Sequence, residues 1–251
     1  AIILYSEHDP LVVFFWFVAR LCRARYVYER CEEPFYQAVH SRFWRLVSLL
    51  DTHTLYRLFD AALVISDHLW RYMRPRMRPG AQLFKVPILV DVQQFSAPAP
   101  PPLPPGRYLA YCGSLLEEKD GVRSLMQAFA AVSAEFPDLS LVLIGDSIRE
   151  SRIPTYRRYA EGLGLAGRVI FTGMVARSEL PAYLANASIL ALARPTSRQA
   201  EAGFPTKLGE YLATGKPVLV TRTGEIASYL TDGDDVFFAP PDPDLFGVRS
   251  R

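Results

Sequence analysis

Phe204-Pro205-Thr206-Lys207-Leu208-Gly209-Glu210-Tyr211-Leu212-Ala213-Thr214-Gly215-Lys216-Pro217-Val218-Leu219-Val220-Thr221 reads as a loop, a short helix and a strand. Pro205 suits the first helical turn, where a missing N–H costs nothing. Gly215 stands where a left-handed cap ends the helix, and Pro217 forbids continuation. Val218, Leu219 and Val220 form the apolar run of a buried strand. Leu208 and Leu212 share one helix face. Thr206 and Glu210 share another, with Lys207 three residues before Glu210.

The helix start carries the chemistry. Backbone N–H groups are unpaired there, and the helix dipole leaves partial positive charge, so a phosphate fits. Glu210, one turn in, is placed to accept hydrogen bonds from hydroxyls. A phosphate beside a diol describes a nucleotide-sugar. An ordinary αβ unit with a surface glutamate has the same local pattern.

The rest of the chain places that unit in a larger fold. Residues 1–6, Arg25 to Arg30, Ala62 to Ser66 and Gln82 to Val90 read as strands. Between them lie helical stretches at Pro10 to Arg23, 34–60 and His68 to Met77. Such alternation predicts a parallel sheet covered on both faces. Residues 97–106 are dense in proline and favour extended polyproline, which makes them a linker. We therefore expect a partial first domain over 1–96 and a second over 107–251. The second repeats the alternation: strands at Tyr108 to Cys112, Leu139 to Ile144, Val169 to Thr172 and Ile189 to Ala193 precede the unit quoted above. Helices at Gly121 to Glu135, 152–163 and Ser178 to Ala185 separate them. Ligands of open parallel sheets sit at the carboxyl ends of the strands. The loops 113–119, 145–147, 173–175 and 194–206 converge on that edge. A doubly wound domain should not begin within a strand, so the sequence reads as a fragment lacking part of its first domain and its C-terminal end.

Composition narrows the classes. At 251 residues, half of them hydrophobic, the chain can bury one large or two medium cores. A net charge of +2 makes no bulk case for nucleic acid. Cys22, Cys31 and Cys112 are odd in number and lack CxxC spacing, which points to a reducing compartment without structural zinc. The apolar run Leu11 to Ala19 falls well short of the roughly 20 residues of a membrane span. Gly162-Leu163-Gly164-Leu165-Ala166-Gly167 matches G-x-G-x-x-G, but it closes a helix and precedes a strand, the reverse of a dinucleotide fingerprint.

The run Gly203 to Thr221, with Gly224-Glu225 after it, resembles the donor-binding signature of glycosyltransferase family 4, the group 1 type. The resemblance covers most of residues 107–245 and, more weakly, 1–96. It implies the GT-B fold, two Rossmann-like doubly wound domains facing across a cleft. It also implies transfer of a sugar, with retention, from a nucleotide diphosphate sugar to an acceptor hydroxyl in polysaccharide or glycolipid synthesis. The donor would rest on Gly113, Ser114, Gly145, Gly173, Met174, Gly203, Phe204, Pro205, Thr206, Lys207 and Glu210, with Glu210 on its hydroxyls and the backbone near Gly173-Met174 on the base. The loop Gly113 to Gly121 resembles the family's Gly-Arg…Lys-Gly motif, whose cations hold the diphosphate; Gly113 and Lys119 match, while Ser114 stands at the arginine. The family's Glu-x7-Glu pair matches at Glu210, but its first member falls on Ala202, leaving Glu201 one residue slipped. Where the family carries an acceptor-side histidine, the stretch Tyr28 to Phe35 has none; Glu32 or Glu33 would line the cleft there, and His8 is the alternative. His40, His53 and His68 read as structural or solvated.

No Asp-x-Asp or His/Asp grouping lies in the four edge loops, so the reaction is expected to need no metal and no cofactor. Residues 70–78 carry four arginines among aromatic residues, which suggests a membrane-surface contact of a cytoplasmic, peripheral protein. Two other readings stand beside this one: a nucleotide-sugar 2-epimerase of the same fold, and a non-catalytic nucleotide-sugar-binding protein.

Overall fold

A computed structural model describes residues 1–5, 9–32, 54–95, 100–101, 103 and 106–240. They divide into two compact units. The first is Ala1–Ile88 with Glu201–Phe204; the second is Leu89–Ala200 with the chain from Pro205 onward. The division falls at 88/89, ahead of the proline-rich segment 97–106, most of which lies outside the described residues.

The first unit holds β1 (Ile2–Leu4), α1 (Asp9–Leu21), β2 (Tyr26–Arg30), β3 (Ala61–Val64), α2 (Asp67–Met73) and β4 (Gln82–Lys85). All pairings are parallel and the order is β1-β2-β3-β4. Along β2 and β3 buried residues alternate with half-buried ones. Tyr26 and Tyr28 stack on Phe59, with centroids 4.5 and 4.6 Å away. The Tyr26 hydroxyl donates to the Val12 carbonyl at 2.9 Å and ties α1 to the sheet. Asp60, nearly buried, accepts from the Tyr26 N–H at 2.7 Å and pairs with Arg20 and Arg78.

Two elements end earlier than the sequence suggests. β4 stops at Lys85 because Pro87 cannot donate to a ladder. α2 stops at Met73 because Pro75 follows. Of the helical stretch 34–60, only residues from 54 onward are described, with a 3-10 turn at Tyr56–Leu58.

The second unit runs β5 (Arg107–Cys112), α3 (Glu117–Asp120), α4 (Val122–Ser133), β6 (Leu139–Ile144), α5 (Ile153–Gly162), β7 (Val169–Gly173), α6 (Leu180–Ala185), β8 (Ile189–Leu192), α7 (Arg198–Ala202, whose end passes into the first unit), α8 (Thr206–Ala213), β9 (Val218–Thr221), α9 (Ile226–Tyr229) and β10 (Phe237–Ala239). Its six parallel strands lie in the order β10-β9-β8-β5-β6-β7. The chain winds outward from β5 through β6 to β7, returns to the other side of β5, and winds outward again. The direction reverses between β5 and β8. That switch point is where parallel sheets open a crevice for ligands. The short helices α3, α7 and α9 were not expected, since four or five residues do not hold a helix without tertiary support.

A candidate donor site at the carboxyl edge of the second sheet

At the end of β5 the chain becomes crowded. Tyr111 is fully buried, and the Cys112 N–H donates to the Tyr211 hydroxyl of α8 at 2.7 Å. Burial pushes the Cys112 thiol up to about 11. A Cβ on residue 113 would overlap the Tyr111 hydroxyl and the Lys207 ammonium, so glycine is required there. Gly145, at the end of β6, has φ +104°, and a Cβ on it would run into the Gly113 carbonyl. The Gly145 N–H donates to the Gly173 carbonyl at 2.9 Å. Three glycines thus bring bare backbone together at the ends of three adjacent strands.

The loop after β5 is held from several sides. The Tyr156 hydroxyl bonds to the Leu115 carbonyl at 3.1 Å and to Glu117 at 3.2 Å. Gly121, at φ +61°, closes α3 and opens α4, and a Cβ there would strike the Ala193 carbonyl beyond β8. This fixes Asp120, which is 2% exposed. Its Oδ1 lies 2.7 Å from Lys207 Nζ, and its Oδ2 accepts from Ser114 Oγ at 3.3 Å. Lys207 Nζ also donates to the Tyr111 hydroxyl at 3.2 Å and lies 4.7 Å from that ring's centroid. Lys119 sits half-buried on α3, next to Asp120.

α8 begins at Thr206, with Pro205 as its N-cap in an extended conformation and no capping side chain. Pro205 is therefore one residue before the helix, a correction to its expected place in the first turn. Gly215 takes φ +67° just after the helix, as the sequence suggests. Glu210, with a side chain 15% exposed, meets Arg177 of the loop after β7 at 2.6 Å. Lys207 turns away from Glu210 toward Asp120.

The structure thus gathers Gly113, Ser114 and Lys207 around Asp120, and brings Gly145 and Gly173 alongside. Met174 is 66% exposed beyond β7. Glu201, Gly203 and Phe204 belong to the segment that joins the first unit: Glu201 is exposed, Phe204 packs against that unit's core, and the Ser66 hydroxyl bonds to the Ala202 carbonyl. Glu32 is exposed, its carbonyl accepting from Arg30 at 2.8 Å. His8 and Glu33 lie outside the described residues. Sequence reasoning missed Asp120, Tyr111 and Arg177. Asp120 is adjacent to Lys119 and reads as one more acid in an acidic loop; only its burial sets it apart.

In the 70–78 segment, Arg74 donates to the Ala81 carbonyl at 3.2 Å and Arg76 lies 3.9 Å over the Tyr72 ring. Arg78 pairs with Asp60 and donates to the Phe59 carbonyl at 3.2 Å. Three of the four arginines therefore have structural partners. Among the described residues, no helix is long and apolar enough to cross a membrane.

The chain is 29% identical over 252 residues to the GDP-mannose-dependent alpha-(1-6)-phosphatidylinositol monomannoside mannosyltransferase of Mycolicibacterium smegmatis, covering 92% of this chain and 63% of that protein. It is 29% identical over 177 residues to the protein of that name from Mycobacterium tuberculosis, covering 66% of this chain and 44% of that one. The chain thus spans less than two thirds of the length of these relatives. Among solved structures, Anabaena HepE in complex with UDP and glucose aligns over 99% of this chain and 67% of its own, with a TM-score of 0.71 and 17% identity. Sucrose-phosphate synthase from Thermosynechococcus elongatus aligns over 99% of this chain and 63% of its own, with a TM-score of 0.73 and 18% identity. At such identities the likeness speaks for the fold, which is the α/β GT-B type expected from the sequence. Residues 106–248, more than half of the chain, match the family Glycosyl transferases group 1, and the chain belongs to that family.

Proposed function

We propose that this chain carries the donor site of a retaining glycosyltransferase of family 4, which moves a sugar from a nucleotide diphosphate sugar to a hydroxyl of a glycan or lipid-linked acceptor. The observation that carries this reading is the set of groups at the switch point of the second sheet. The Lys207 ammonium, the bare backbone at Gly113 and an α8 start without a capping side chain all belong to one small region, and Lys119 lies one residue from Asp120. Breaking the sugar–phosphate bond builds negative charge on the leaving diphosphate. Lys207, Lys119 and the helix start at Thr206 neutralise that charge as it develops. Glu210 accepts from the donor's ribose hydroxyls, and the backbone at Gly173-Met174 receives the base. Glu201 takes the place of the first glutamate of the family pair, with Glu32 or His8 on the acceptor side. The relatives named as using GDP-mannose and acting on a phosphatidylinositol monomannoside support a lipid-linked acceptor.

Two lysines and a helix start supply the charge a metal would otherwise supply, so we propose a metal-independent reaction. Incubation with radiolabelled GDP-mannose or UDP-glucose and a lipid extract tests both points. Labelled lipid or glycan forming equally with and without EDTA is the expected result. Activity lost in EDTA and restored by Mg²⁺ or Mn²⁺ rejects metal independence. A labelled sugar that epimerises without transfer, or binds unchanged, rejects the transferase.

A further inference from the structure

The pair of Asp120 and Lys207 is an odd thing to bury. Removing a carboxylate and an ammonium from water costs several kcal/mol each, and a buried ion pair is weak ground for stability. The position is also unusual: the ammonium presses against Gly113, the residue that ends β5, and glycine alone leaves room for it. A lysine head group is a compact charge on a flexible stem and would ordinarily sweep through solvent. Here two of its three protons are committed, one to Asp120 Oδ1 at 2.7 Å and one to the Tyr111 hydroxyl at 3.2 Å. The side chain keeps 17% exposure, so the third proton has access to a ligand. Asp120 is itself held by the Ser114 hydroxyl and by the turn at Gly121. Ser114 is the residue that stands where the resemblance places an arginine.

We propose that Asp120 is a positioning residue that fixes the Lys207 ammonium at Gly113 as a diphosphate-binding cation, in place of the one that Ser114 does not provide. The inference rests on the donor-site reading above. Ser114 serves by supporting Asp120 instead of touching the phosphates. A donor held in advance loses little freedom on binding and needs no reorganisation as charge develops.

The test is a double-mutant cycle on the affinity of the chain for UDP and GDP, read by calorimetry, with melting temperature measured for every variant. Lys207→Met should weaken nucleoside diphosphate binding by about 10- to 150-fold, the range for a hydrogen bond from a charged group. In an Asp120→Asn background the same Lys207→Met step should cost no more than about twofold, because the ammonium is no longer held at Gly113. The double variant carries no buried charge, and Lys207→Arg keeps the cation; these two remain informative if Lys207→Met alone does not fold. In that event the double variant should bind about as weakly as Asp120→Asn alone, and Lys207→Arg should bind within about tenfold of the parent. A Lys207→Met penalty equal in both backgrounds overturns the positioning role of Asp120. Variants that melt earlier yet bind as tightly as the parent make the pair purely structural. A parent chain that binds neither UDP nor GDP instead removes the donor-site reading, and this inference with it.

Discussion

Glu210→Gln separates a donor-binding carboxylate from an ordinary surface acid. The substitution keeps the side chain's shape and removes its charge. In the structure Glu210 pairs with Arg177, whose side chain is 71% exposed. A pair so open to solvent contributes about 0–1 kcal/mol, so the melting temperature should hardly move. Bound nucleotide changes the accounting. A carboxylate accepting from ribose hydroxyls contributes about 1.5–3 kcal/mol, and its loss weakens binding by roughly 10- to 150-fold. Calorimetric titration with UDP and GDP measures this directly. A 2′-deoxynucleotide should already have lost part of that energy, so the variant should discriminate less between ribose and deoxyribose than the parent does. Arg177→Gln should have the opposite sign, with binding tightened by about twofold as the competing cation is removed. A Glu210→Gln variant that binds both nucleotides as tightly as the parent would refute the reasoning and leave α8 as scaffold.

Three further outcomes are expected at other groups. Lys119→Ala should lower kcat/KM by about 2–4 kcal/mol of transition-state stabilisation with an unchanged melting temperature; unchanged kinetics would remove Lys119 from the site. Burial alone would raise the Asp60 carboxyl, but the Tyr26 N–H and the Arg20 and Arg78 guanidiniums outweigh it and hold the pKa below the ordinary carboxylate value. Its ionised form is therefore favoured by folding: the contribution is complete above about pH 4 and disappears as pH falls through the lower, folded pKa. Asp60→Asn should thus lose stability near neutral pH and show a shallower acid limb in a melting-temperature profile; parallel acid limbs would contradict this. Replacing Arg71, Arg74, Arg76 and Arg78 with glutamine should reduce binding to phosphatidylserine vesicles at low salt, and 1 M salt, which shortens screening to about 3 Å, should reduce the parent's binding as well. Because Arg74, Arg76 and Arg78 also serve Ala81, Tyr72 and Asp60, a loss of stability should accompany the change. Equal vesicle binding before and after would return the segment to a purely structural role.

Apart from the edge strand β10 and the short helices α3, α7 and α9, the order of elements was legible in the sequence because parallel strands buried in an αβ fold are short apolar runs between helical periods, and glycine and proline mark their ends. β6 matches its expected bounds, Leu139 to Ile144, residue for residue. The α8 unit is likewise local: Pro205, Gly215 and Pro217 bracket it. What sequence could not give is any contact across the sheet. Lys207 is three residues from Glu210 in the chain, and helix spacing alone pairs them. In the fold, α8 lies against the end of β5, so Lys207 meets Asp120, 87 residues away, and Glu210 meets Arg177 from the loop after β7. Likewise, four consecutive charged residues at 117–120 look equivalent in the sequence. Burial alone distinguishes Asp120, and that burial is set by Gly121 fitting under the Ala193 carbonyl. Local propensity and periodicity are written within a dozen residues, whereas the neighbours that give a charge its role come from strands the chain visits far apart and only the closed sheet brings together.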